Sequence, residues 1–135
     1  MARERVAVFL LLTATLSLPA CGNSSSPDKI ASSFLHHYYE AVDLLQAKKL
    51  TEGLASEKIE QEQALLQGRR AVEEARRRNV NSRLLEKRSE GDRLSLAYEL
   101  TIKGRGVPLM HKRAILLLRK VDGGWRVTNF RDFDL

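Results

Sequence analysis

The chain has 135 residues, with 23 Lys+Arg against 17 Asp+Glu and a formal net charge of +6. Its single cysteine excludes a disulfide within the chain, and its length suits one domain with one modest core. The longest basic run, Arg76-Arg77-Arg78, directly follows Glu73-Glu74, and aromatic residues do not interleave with basic ones, so nucleic-acid binding is not expected.

Met1 to Arg5 carries two arginines, and Val6 to Leu18 is then almost wholly apolar. A helix over that run would span roughly 20 Å at about 1.5 Å per residue, short of the roughly 30 Å hydrocarbon core of a bilayer. The segment therefore reads as a secretory signal peptide, residues 1–20, to be set aside from fold reasoning. Leu18-Pro19-Ala20-Cys21-Gly22 follows at once. This stretch resembles the lipobox of bacterial lipoproteins, with Pro19 an unusual occupant of the variable position. The resemblance implies a diacylglyceryl thioether on Cys21, cleavage between Ala20 and Cys21, and acylation of the new amine. It also implies attachment to the membrane by lipid, on the periplasmic face of the outer membrane if the source has one, because Gly22 rather than Asp follows the cysteine. Several acyl chains would make a firm anchor, since each buried methylene contributes about 0.8 kcal/mol.

Residues 21–27 are a lipidated, polar tether on this view, and residues 28–135 form the domain. Ser26 is placed to cap a helix, Pro27 suits its first position, and Asp28 complements its positive end. Ile30, Phe34, Tyr38, Val42 and Leu45 recur at helical spacing, which predicts a helix over residues 28–47. A second helical stretch is expected from Ser56 to about Arg78, with a narrow apolar stripe (Ile59, Leu65, Leu66, Val72, Ala75), a potential break at Gly68 and a stop at Asn79.

From Val80 the period changes. A strand is expected at Ser82–Arg88 and a turn at Glu90-Gly91-Asp92. Arg93–Lys103 alternates strictly, with Leu94, Leu96, Tyr98, Leu100 and Ile102 on one face. After a loop at Gly104–Pro108 comes a strand over Met110–Val121, apolar on both faces at Ala114–Leu118 and so expected in the middle of the sheet. Asp122-Gly123-Gly124 reads as a hairpin turn, and Trp125 to about Phe133 as the last strand. The order predicts an α+β fold of two to three helices packed on a curved four-stranded antiparallel sheet.

That order, the aromatic first helix (Phe34-Leu35-His36-His37-Tyr38-Tyr39-Glu40-Ala41-Val42) and the ending Val121-Asp122-Gly123-Gly124-Trp125-Arg126-Val127 resemble the cystatin-like roll of the ketosteroid isomerase and nuclear transport factor 2 superfamily. The resemblance covers roughly residues 27–135. Its enzymes place an Asp or a His–Asp pair inside the cone, whereas the apolar face of the 93–103 strand offers no carboxylate, so no catalytic residue carries over.

The residues expected to line a pocket between the first helix and the sheet are Phe34, Tyr38, Leu96, Tyr98, Leu100, Leu116 and Trp125. His36 and His37 are neighbours and would diverge by about 100° on a helix, so they do not form a metal pair. Glu40 and Asp43 read as solvated carboxylates. No catalytic triad, Cys–His pair or phosphate loop is present, and no cofactor or metal is expected. The leading expectation is an envelope lipoprotein with a non-catalytic domain that binds a protein partner or a small apolar ligand. The alternatives are a small isomerase- or dehydratase-like enzyme and a structural component of an envelope assembly.

Overall fold

The computed structural model describes residues 25–66 and 78–135. The expected signal peptide, Ala20, Cys21 and the start of the tether lie outside the described residues, as does the stretch 67–77 with Gly68, Val72 and Ala75. The chain forms α1 (Pro27–Leu35), a π-helical turn (His36–Glu40), α2 (Leu44–Lys48) and α3 (Leu54–Leu66). Four strands follow: β1 (Arg78–Glu90), β2 (Arg93–Gly104), β3 (Val107–Val121) and β4 (Gly124–Asp134). They pair antiparallel in the order β1-β2-β3-β4, a meander curved around the helices.

Ser26 caps α1 as its sequence implies, accepting from the Lys29 amide at 3.3 Å, with Pro27 in the first turn. The continuous helix expected over 28–47 is broken. After Leu35 the backbone widens into the π-turn, and Val42 then adopts φ +50°. That conformation is costly for a β-branched residue. Asp43 restarts the helix by accepting from the Gln46 amide at 3.1 Å. The break redirects the apolar stripe: Leu44 and Ala47 are buried where periodicity had selected Val42 and Leu45, and Leu45 is left 52% exposed. At the other end of the helical layer, Arg78 and Asn79 belong to β1, paired with Gly104 and Lys103, and not to the end and stop of a helix.

The alternation in β2 holds throughout. Leu94, Leu96, Tyr98, Leu100 and Ile102 are all buried and share the inner face of the sheet with Ala114, Leu116 and Leu118 of β3. Phe34 is the main plug from α1, stacked on Tyr38 at 5.4 Å and tilted against Phe130 at 5.0 Å. Fully burying a side chain of this kind contributes about 1.5–3 kcal/mol. The β3–β4 hairpin turns at Asp122 (φ +48°) and Gly123 (φ +80°), two positive angles in succession, which the two-residue turn needs to match strand twist.

Besides an irregularity at the β2–β3 turn between Ile102 and Gly104, bulges in β1 and β4 alter the strand parity. In β1 the register slips between Leu84 and Glu86. In β4, Leu118 faces Val127 while Leu117 faces Asn129, so Thr128 is an extra residue. One extra residue exchanges the faces of all that follow. Val127 points inward, and beyond the bulge Phe130, Asp132 and Asp134 take the inner positions.

Candidate functional site

The Thr128 bulge turns a carboxylate toward the helical layer. Asp132 lies on the same cross-strand row as Tyr98 and Ala114. The Tyr39 hydroxyl donates to its Oδ2 at 2.6 Å, and Lys112 Nζ donates to its Oδ1 at 3.3 Å. Lys112 also reaches Asp134 Oδ1 at 2.9 Å. The adjacent Tyr38 hydroxyl donates to Glu62 Oε1 on α3. Two neighbouring tyrosines thus serve two different elements, the sheet and α3. The π-turn makes this feasible by widening the helix where they sit, and their rings meet edge to face at 4.8 Å.

Burial is the main cause that pushes both hydroxyls far above the ordinary tyrosine range, followed by the hydrogen bond from Tyr38 to Glu62 and from Tyr39 to Asp132. Tyr98 is also raised, by burial and by Asp28. The raised Tyr38 and Tyr39 hydroxyls serve as donors to carboxylates, not as bases. The hydrogen bond to Asp134 raises Lys112, holding its charge between the two carboxylates. A second polar tie lies beside this cluster. Lys58 of α3 donates to Asn129 Oδ1 and to the Phe130 carbonyl, both at 2.7 Å, and sits 5.4 Å from the centre of the Phe130 ring. Each acid of the cluster therefore already holds a donor, an arrangement that clamps helices to sheet.

The structure brings the seven expected pocket residues together. Phe34, Leu96, Leu100 and Leu116 have 0% exposure, Tyr98 is buried, and Tyr38 and Trp125 pack on them half-buried. A void wide enough for water would give its lining exposed area, so no such void touches those four side chains. His36 points to solvent, 3.2 Å from Glu40, and Asp43 is spent on the cap of α2. Among the described residues no group of three or more His, Cys, Asp or Glu could hold a metal ion, and no helix is long and apolar enough to cross a membrane.

Open concavities occur elsewhere. A cleft of about 600 Å³ lies between α2 and the β3–β4 turn, edged by Lys48, Lys49, Arg126, Glu52 and Asp122. A trough of about 450 Å³ runs across the outer face of the sheet. Periodicity missed Tyr39, Glu62, Lys112 and Asp132. A usable signal for Asp132 would have been a bulge, because unbroken alternation from Val127 sends it outward.

No protein-family model matches the chain, and no curated protein matches it. Solved structures do resemble it. A protein from Thiobacillus denitrificans, described as a calcium/calmodulin-dependent protein kinase type II association domain, has a TM-score of 0.62 at 12% identity, covering 82% of this chain and 95% of that one. A protein of unknown function with a cystatin-like fold from Nostoc punctiforme has a TM-score of 0.58 at 12% identity, covering 80% of this chain and 87% of that one. At such identity the likeness concerns the fold, and the chain has a cystatin-like α+β architecture.

Proposed function

We propose that this cystatin-like domain is a non-catalytic binding module for a protein partner, exported and held at a cell-envelope membrane by lipid on Cys21. The anchor rests on the charged start, the apolar run and the Leu18–Gly22 motif. The binding role rests on one observation: the acids of the inner face are already held by donors of the same chain. Asp132 has a partner on each oxygen and Glu62 receives Tyr38. A general base must accept a proton from substrate within hydrogen-bond reach, and here tyrosines that stay protonated occupy the near approach. The filled interior beside Phe34 and Leu96 favours a partner on the surface over an apolar ligand in the core.

Photo-crosslinking in intact cells tests this. A crosslinker at Leu117 on the outer face, or at Lys49 beside the cleft, is expected to trap one defined envelope protein from at least one of the two positions. Absence of any adduct from both, together with turnover of a substrate by the purified protein, would overturn it.

A second assignment has one observation in its favour. Asp132 stands on the inner face in the row of Tyr98, as an isomerase-like site would require of its acid. It requires substrate to displace Tyr39 or Lys112, and loss of turnover in Asp132→Asn with retained folding would support it.

A further inference from the structure

An antiparallel sheet with one solvated face alternates apolar-in and polar-out. The outer face here departs from that rule in one block. Ala97 pairs with Ile115, and Ser95 with Leu117, at the centre of the sheet. Ala97 is only 5% exposed, Leu117 is 40% exposed, and no described element packs over them. These residues floor the trough, which Glu86 and Arg88 bound on β1 and Asn129 and Arg131 on β4.

The charges on its walls are unequal. Arg88 Nε pairs with Glu86 at 2.6 Å, and Arg83 pairs with Glu99 at 3.2 Å, so the two acids nearest the trough are taken. Arg113, opposite the Glu99 that Arg83 holds, and Arg131 make no ion pair among the described residues, and Arg113 Nε is buried without a hydrogen-bond partner. A buried donor left unmatched is costly, and a carboxylate arriving from outside would satisfy it.

We propose that the trough is the docking site for an amphipathic helix of a partner protein, with an apolar stripe flanked by Asp or Glu. This rests on the binding role argued above and names its surface and its chemistry. From β1 to β4 there are three strand spacings of about 4.8 Å, roughly 14 Å in all, and a helix with its side chains is about 10–12 Å across. The apolar stripe lies on Ala97, Ile115 and Leu117, and the flanking carboxylates meet Arg113 and Arg131. This is the helix-in-groove mode, read by spaced apolar anchors. A second copy is a poor occupant, because the unpaired charges on both faces would be positive.

The test uses the full chain in zwitterionic nanodiscs and two labelled synthetic helices. They share a leucine stripe and carry either glutamates or lysines along its flanks. Anisotropy should rise with the glutamate helix, weaken as salt increases, and stay flat with the lysine helix. The Arg113→Glu/Arg131→Glu variant should lose affinity by on the order of tenfold or more and begin to bind the lysine helix, since like charges across an interface are strongly disfavoured. Leu117→Asp, at an exposed site, should abolish binding while thermal melting stays unchanged. Equal binding of both helices, or of the glutamate helix to the reversed variant, would overturn the proposal. So would no binding of either helix, or self-association abolished by Leu117→Asp. In-cell crosslinks from Lys49 alone would sink the trough as the site while leaving the binding role standing.

Discussion

Replacing Tyr39 by Phe removes one hydroxyl and keeps the ring. The bond it breaks, from Tyr39 to Asp132 Oδ2, is 2.6 Å long, within the short range of charge-assisted O–H···O⁻ bonds. Hydrogen bonds to charged groups contribute about 1.5–3 kcal/mol. Asp132 keeps Lys112 and a side chain that is 25% exposed, so water restores part of the loss and the lower half of that range, about 1.5–2 kcal/mol, is expected. At this size 1 kcal/mol corresponds to about 4 °C in Tm, which gives a fall of about 6–8 °C. Urea unfolding should show a lower midpoint at constant slope. In a double-mutant cycle with Asp132→Asn, the coupling should be about 1 kcal/mol or more. A loss under about 0.5 kcal/mol, or zero coupling, would refute the claim that this bond ties the helical layer to β4.

The chain has three tyrosines, and Tyr38, Tyr39 and Tyr98 are all raised above the ordinary value. A pKa raised on folding means the native state binds more protons at alkaline pH. The associated stability is fully present below pH of roughly 10 and is lost as pH climbs toward the folded values. Tyr38 and Tyr39 should therefore contribute no tyrosinate absorbance through that pH in the native protein and do so only on unfolding; native ionisation of more than one tyrosine near the ordinary value would contradict their burial. Val42→Gly relieves a left-handed conformation costing about 1–2 kcal/mol against a chain-entropy cost of about 0.5–1 kcal/mol. Calorimetry should find the variant as stable as the parent or slightly more so, and a clear loss would show that packing of Val42 outweighs its strain.

What the sequence made legible followed from unbroken periods. Leu94 to Ile102 alternates without interruption, and β2 is the strand so described. Ser26-Pro27-Asp28 carries local capping chemistry, and α1 begins there. The misses in the first helix and in β4 share one physical cause: a local irregularity that the period does not announce. The π-turn at His36–Glu40 and the left-handed Val42 broke a stripe that runs on smoothly in sequence. The extra residue at Thr128 carried Phe130 and Asp132 inward, and with them the acid that the apolar face of β2 lacked. The expected pocket residues were chosen by the right periodicity and do converge, but convergence of apolar side chains produces a packed interior as readily as a cavity. The apolar character of Ala114–Leu118 on both faces was visible from the start. Its outer half acquires meaning only beside Ala97, Arg113 and Arg131, which the register brings alongside.

The proposed placement of this domain at a membrane rests on Cys21, so lipid incorporation there is the most direct measurement. Cells expressing the full chain are grown with radiolabelled palmitate, and the protein is recovered and compared with Cys21→Ser. Label on the parent and none on the variant, with the variant retaining its uncleaved start, is the expected result. Label that persists on Cys21→Ser, or a parent that carries none, would contradict the anchored binding module proposed for this chain.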